Sequence, residues 1–199
     1  MTKTQAIKSL LIANRGEIAV RIICGARALG SRTVAVYSTA DAGAPHVALA
    51  DEAVEIGPAE ASQSYLNAEA ILAAARQTGA QAVHPGYGFL AENADFAQAV
   101  LDAGLTWVGP APAAMRAMGD KAGARALMEA AGVPLLPGYQ GADTPAKLRA
   151  AAEEIGYPLL VKASAGGGGV GMRVGSEANE LDEAIKAAWR TAGAAFSDG

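Results

Sequence analysis

Over residues 10–108, short apolar runs alternate with alanine-rich stretches of helical spacing, and the helical stretches close at glycines. This alternation constrains the fold more than any other feature. Leu10 to Ala13 reads as a strand, and Asn14-Arg15-Gly16-Glu17 turns it into a helix in which Ile18, Ile22, Ala26 and Leu29 recur before Gly30. Thr33 to Tyr37 is the next strand, completing a βαβ unit. Ala53 to Ile56 is a third strand, Asn67 to Thr78 a helix, and Gln81 to His84 a fourth strand. Ala94 to Ala103 is a helix, and Thr106 to Val108 a fifth strand. Strands alternating with helices predict an α/β fold with a doubly wound parallel sheet, which binds ligands at the carboxyl ends of its strands.

Two polar, glycine-containing loops fall at such ends, residues 14–17 and 84–93. In the second, Pro85 restricts the chain while Gly86 and Gly88 permit a sharp turn that presents Tyr87 and Glu92 toward the edge of the sheet. Arg15 and Glu17 read as helix-end residues, Glu17 complementing the N-terminal dipole. His84, between a strand and a proline, reads as a structural hydrogen-bonding residue. With His46 and His84 as the two histidines, no metal-ligand cluster can be read.

After Pro110 the pattern changes. Pro112 to Met118 and Ala122 to Ala131 read as helices interrupted at Gly119-Asp120-Lys121, and Val133 to Gly138 as an extended linker or strand. Thr144-Pro145 opens a further helix with an N-cap and an N1 proline, running to Ile155. Leu181, Ile185, Ala188 and Trp189 form a later helical stripe suited to packing. A boundary near residue 112 is expected, giving domains 1–112 and 113–199.

The second region is organised around residues 159–174. Leu159-Leu160-Val161 is an apolar strand, Lys162 stands at its end, and five of the six residues from Gly166 to Gly171 are glycine before Met172-Arg173-Val174 forms a return strand. Glycine-rich backbone can turn several N–H groups toward one anion, and Lys162 adds a full charge beside them. A dinucleotide fingerprint needs a helix after the loop, and a Walker loop needs Gly-Lys-Ser/Thr at its end. The local strand–loop–strand pattern satisfies neither. What remains is a hairpin folding over a polyphosphate, or a surface hairpin without a ligand; Lys162 favours the first.

Composition excludes several classes. The net charge of −4 argues against a nucleic-acid footprint. A single cysteine, Cys24, precludes an internal disulfide and fits a reducing compartment. No apolar run reaches the ~20 residues of a membrane span. The expected location is cytoplasmic, with neither a membrane nor a nucleic acid as partner.

Four segments, Ile12 to Ala19, His84 to Asn93, Met118 to Lys121, and Gly156-Tyr157-Pro158 through Arg173, together resemble the biotin carboxylase family of the ATP-grasp superfamily. The resemblance covers nearly the whole chain. It implies a Rossmann-like pre-ATP-grasp domain followed by the first part of an ATP-grasp domain, and an ATP-dependent ligase. Such a ligase activates bicarbonate with MgATP as carboxyphosphate and carboxylates N1′ of biotin carried on a partner protein or domain. The implied partners are bicarbonate, the biotin carboxyl carrier, a carboxyltransferase component and, in some assemblies, a second copy of the chain. By position, Lys121 and Lys162 are similar to the family's two ATP-contacting lysines. Gly166, Gly167, Gly168, Gly169 and Gly171 are similar to its phosphate-covering loop, and Tyr87 and Gly88 to positions near the biotin end of its pocket.

Two departures stand out. Val170 occupies a loop position where the family usually carries Lys or Arg. The family's second ATP-grasp lobe, which supplies the Mg²⁺ carboxylates, is expected beyond residue 199, so the 199-residue chain alone is expected to be inactive. Alternative functions are another ATP-grasp ligase, which residues 84–93 speak against, and a non-catalytic nucleotide-binding or assembly module.

Overall fold

A computed structural model describes residues 6–119, 121–139, 144–162 and 172–196, with Lys121, Ala122, Trp189 and residues 191–196 described by backbone alone. The chain divides into two compact units between Arg116 and Ala117.

In the first unit the chain order is β1 (Ser9–Ile12), α1 (Gly16–Ala28), β2 (Arg32–Ser38), α2 (Pro45–Leu49), β3 (Glu52–Gly57), α3 (Ala68–Thr78), β4 (Ala82–His84), α4 (Ala94–Asp102) and β5 (Thr106–Trp107). The five strands form one parallel sheet in the order β3-β2-β1-β4-β5. Successive side chains of a strand point to opposite faces, and β1 shows why both faces are covered. Leu10 and Ile12 pack with Ala19, Ile23 and Ala26 of α1. Leu11 belongs instead to the core built with Ile71 and Ala75 of α3 and Phe96, Ala97 and Val100 of α4. The result is the α/β doubly wound architecture that the strand–helix alternation predicts. The short helix α2 was not legible in the apolar pattern; Pro45 at its N1 position and the burial of His46 hold it.

Asn67, expected within α3, caps it instead, accepting from the Ala70 N–H at 3.1 Å. The start of β2 is tied to the end of α1 through Asp51. Its Oδ2 accepts from the Thr33 N–H at 2.8 Å and the Thr33 hydroxyl at 2.7 Å, and its Oδ1 accepts from Arg27 at 2.7 Å. Gly57 ends β3 at φ +139, where an added Cβ would stand 2.3 Å from the Gln63 carbonyl oxygen.

Helix α5 (Pro112–Gly119) runs across the division, followed by α6 (Lys121–Ala130), α7 (Pro145–Ile155), β6 (Leu159–Val161), β7 (Arg173–Gly175) and α8 (Leu181–Phe196). Residues 133–138 carry no strand, so of the two readings the linker is the one observed. Thr144 caps α7 as expected, accepting from the Lys147 N–H at 3.3 Å. β6 and β7 pair antiparallel, Leu160 opposite Val174. One face of this hairpin is buried: Leu159 and Val161 pack against Ala152 of α7 and Leu181 and Ile185 of α8. Arg149 grips Asp182 through two bonds of 2.8 and 2.7 Å between α7 and α8, an exposed pair worth little by itself. Among the described residues, no helix is long and apolar enough to cross a membrane.

Candidate functional site

The sheet order places the topological switch between β1 and β4, because β1 leads outward to β2 and β4 leads outward to β5. The crevice beyond the carboxyl ends of such a strand pair is where doubly wound sheets hold ligands. The Ala13 N–H still reaches the His84 carbonyl at 2.9 Å, and the two chains then part. Asn14 fills the opening and is 3% exposed. Its Nδ2 donates to the carbonyls of Pro85 and Tyr87, both at 2.7 Å, and its Oδ1 accepts from the Arg15 N–H at 2.9 Å. Both donors and the acceptor of one buried amide are therefore used to pin the loop after β4 to the loop after β1. Gly86 makes the approach possible: a Cβ there would lie 2.8 Å from Asn14 Nδ2, and its φ is +67.

The pinned turn presents Tyr87, 63% exposed, beyond the strand ends, with its hydroxyl donating to Glu17 across 3.4 Å. His84 accepts the Gly86 N–H on Nδ1 at 3.0 Å, the structural bond expected of it, and burial lowers its pKa. His46 is fully buried, with Nε2 against the Val36 carbonyl at 3.3 Å. Burial also lowers its pKa, which keeps the ring neutral near pH 7.

Beside this turn, Arg15 does more than end a helix. Its guanidinium lies 5.2 Å from the Tyr65 ring centroid, 5.5 Å from that of Phe89 and 3.2 Å from Asp41 Oδ2. The two rings stack at 5.0 Å. Asp41 Oδ2 also accepts from Tyr65 at 2.7 Å and from the Ser38 hydroxyl at 2.8 Å. Burial pushes the Asp41 carboxyl up, but the bonds from Tyr65, Ser38 and Arg15 outweigh it and hold its pKa below the ordinary value. Burial, then the bond to Asp41, push Tyr65 up to about 12.

In the second unit, the alternation of β6 and β7 sets a second feature. Leu160 and Val174, directly opposed, are 45% and 62% exposed, and Met172 is 39% exposed. Two residues on from Leu160, Lys162 leaves the strand exposed, and the period of two assigns it to the same face. An apolar platform therefore ends in a lysine at the entrance to the glycine-rich segment.

The expected site residues divide accordingly. Tyr87 and Gly88 lie on the switch-point turn, and Lys162 on the exposed hairpin face. Lys121 opens α6. Gly166, Gly167, Gly168, Gly169, Val170 and Gly171 lie outside the described residues. Sequence reasoning missed Asn14 as a bridging residue and Leu160, Met172 and Val174 as an exposed platform. An asparagine directly after a strand was the available signal for the first. For the others there was none, since apolar strand residues read as core. Among the described residues, no group of three or more His, Cys, Asp or Glu is placed to hold a metal ion.

Residues 6–115 match the family model described as biotin carboxylase, N-terminal domain, and residues 120–199 match that described as carbamoyl-phosphate synthase L chain, ATP binding domain. The chain is 54% identical over 192 residues to the mitochondrial methylcrotonoyl-CoA carboxylase subunit alpha of Oryza sativa subsp. japonica, covering 96% of this chain and 26% of that protein. It is 53% identical to the biotin carboxylase of Pseudomonas aeruginosa, covering 96% of this chain and 43% of that protein. A crystal structure of a biotin carboxylase–beta-gamma-ATP complex from Campylobacter jejuni superposes with a TM-score of 0.89 at 45% identity, covering 97% of this chain and 44% of that one. The biotin carboxylase domain dimer of Hydrogenobacter thermophilus 2-oxoglutarate carboxylase, in complex with MgADP, ADP and bicarbonate, gives 0.88 at 46% identity, covering 98% of this chain and 43% of that one. The chain thus spans less than half the length of each of these relatives.

Proposed function

The chain belongs to the biotin carboxylase family, and from that premise we propose that it forms the amino-terminal part of a ligase that carboxylates protein-linked biotin with ATP and bicarbonate. A bicarbonate oxygen attacks the γ-phosphorus, the bond to the β,γ-bridging oxygen breaks, and ADP leaves. Biotin N1′ then attacks the carboxyl carbon of carboxyphosphate, losing its proton as inorganic phosphate departs.

The observation that carries this reading is the exposed hairpin face, on which Leu160, Met172 and Val174 lead to Lys162. An apolar platform suits the flat face of a purine. A lysine at its end, followed by the glycine run, suits the phosphates attached to it. Lys121, Gly166, Gly167, Gly168, Gly169 and Gly171 complete the proposed nucleotide contacts. Tyr87 and Gly88 are assigned to the biotin end, which fits their position beyond the switch-point crevice. Among the described residues no group of three or more His, Cys, Asp or Glu gathers, and no step here is assigned to Mg²⁺.

The proposed partners are a biotin carrier, a carboxyltransferase and a second copy of the chain, as in the domain dimer of the Hydrogenobacter thermophilus relative. The proposed compartment is the cytoplasm, supported by the use of a single cysteine, Cys24, which has no second cysteine in the chain to pair with, although the plant relatives are named mitochondrial. The test uses the complete polypeptide that carries this segment, with ADP release followed as bicarbonate and free biotin are varied. ADP release that requires bicarbonate and rises with biotin is the expected result. ADP release indifferent to both overturns the proposal.

A further inference from the structure

We propose that Asn14 is the positioning residue of the acceptor end: it sets the backbone of the Pro85–Gly88 turn and so decides where Tyr87 and Gly88 meet biotin. This rests on the carboxylase reading above and adds a residue and a division of labour to it.

The argument starts from the topology. At the switch between β1 and β4 nothing in the strand ladder fixes the outgoing chains, because their last shared backbone bond is that of Ala13 to His84. Beyond it, the turn is held to β1 by the two Asn14 Nδ2 bonds, to Pro85 O and Tyr87 O. They flank Gly86, whose backbone is also held by His84 Nδ1. The amide is itself oriented, because Oδ1 takes the Arg15 N–H. Aspartate has the same shape but brings no donors and would set a charge against two carbonyl oxygens. A side chain without an amide leaves both carbonyls without their donors in a nearly dry place, where such loss is costly.

Asn14 is 3% exposed, with both amide hydrogens and its oxygen bonded to protein backbone, so it acts through the turn and never touches the acceptor. Its loss therefore shifts the Tyr87–Gly88 backbone, while the nucleotide contacts, carried by the second unit, keep their own supports. This separates two kinetic constants that a general loss of folding would not separate.

The experiment measures KM for free biotin and KM for ATP in the complete polypeptide, for wild type, Asn14→Ala and Gly86→Ala. Gly86→Ala leaves Asn14 in place but drives a Cβ to within 2.8 Å of its Nδ2, disturbing the same contact from the other side. The expected result in both variants is a KM for biotin raised about tenfold or more, the scale of one to two net hydrogen bonds, with KM for ATP within about twofold. Should Asn14→Ala fail to fold, Gly86→Ala decides. An unchanged KM for biotin, or equal increases in both constants, overturns the role of Asn14 while the carboxylase reading stands. Wild-type protein without biotin-dependent turnover overturns both.

Discussion

The Tyr65 hydroxyl donates to Asp41 Oδ2 at 2.7 Å and itself accepts the Ser38 N–H at 2.9 Å. A fully buried ring thereby locks the end of β2 to the segment before α2, under the Arg15 guanidinium.

Removing that hydroxyl should destabilise the first unit and change its pH dependence. Tyr65→Phe leaves a carboxylate and an N–H short of a partner, at a cost of about 1–3 kcal/mol. The pKa of Tyr65 is raised, so its contribution is complete below the unfolded value near pH ~10 and is lost as pH rises toward about 12. That of Asp41 is lowered, so its contribution is complete above the ordinary carboxylate range and is lost as pH falls through its folded value. Urea denaturation across the pH range should show wild type losing stability at both ends, and the alkaline loss should vanish in Tyr65→Phe. An alkaline limb that persists in the variant would refute this assignment.

Asp51 offers a second acid-sensitive point. The bonds from Arg27 and Thr33 hold its carboxyl well below the usual range. Asp51→Ala should cost about 1–3 kcal/mol, because Thr33 is fully buried and its N–H and hydroxyl lose their acceptor. The penalty, read from denaturation midpoints, should shrink as pH falls and the wild-type carboxylate becomes protonated. A penalty independent of pH down to acid unfolding argues that packing, not the charge, is what Asp51 contributes.

Gly57 should accept no side chain. Gly57→Ala combines a φ of +139 with a Cβ 2.3 Å from the Gln63 carbonyl oxygen, a backbone neighbour that cannot swing away. The expected loss is about 2–4 kcal/mol. Gly79→Ala is the control: φ is +61, but nothing lies within 4 Å of the added methyl, so its penalty should be smaller, about 1 kcal/mol. Equal losses for the two variants in thermal or urea melts would show that the clash at Gly57 relaxes.

On the hairpin face, Lys162→Ala and Leu160→Asp in the complete polypeptide should each weaken ATP binding. An exposed ammonium–phosphate contact predicts about a three- to thirtyfold loss for Lys162→Ala, greatest at low salt. Leu160→Asp should act in the same direction by spoiling the platform and repelling phosphate. Val174→Thr, which keeps the β-branched shape at the outer end of the face, should matter least. Isothermal titration at two salt concentrations checks all three, and a salt-independent loss for Lys162→Ala would place the lysine away from phosphate.

What the sequence by itself determined is the order of elements and the β6–β7 hairpin with Lys162 at its end. Short continuous apolar runs and 3.6-residue stripes report burial directly, so β1 to β5 and helices α1, α3 and α4 were legible with end errors of a residue or two. The helix from Thr144-Pro145 to Ile155 was equally plain, because a cap and an N1 proline are local chemistry. Lys162 followed from its place between an apolar strand and a glycine run. Tertiary structure alone decided which strands are neighbours, and with that the position of the switch point. It brought Asn14 against residues 85–87, which are more than seventy positions away in the chain. It also decided that Arg15 meets Asp41, Tyr65 and Phe89, and that Leu160 and Val174 face outward although their sequence reads as core. The physical reason is common to all of these. Local patterns record how a residue suits its own helix or strand, whereas a buried amide bridging two loops and an apolar face left uncovered are properties of the partner that the fold brings, or does not bring, against them.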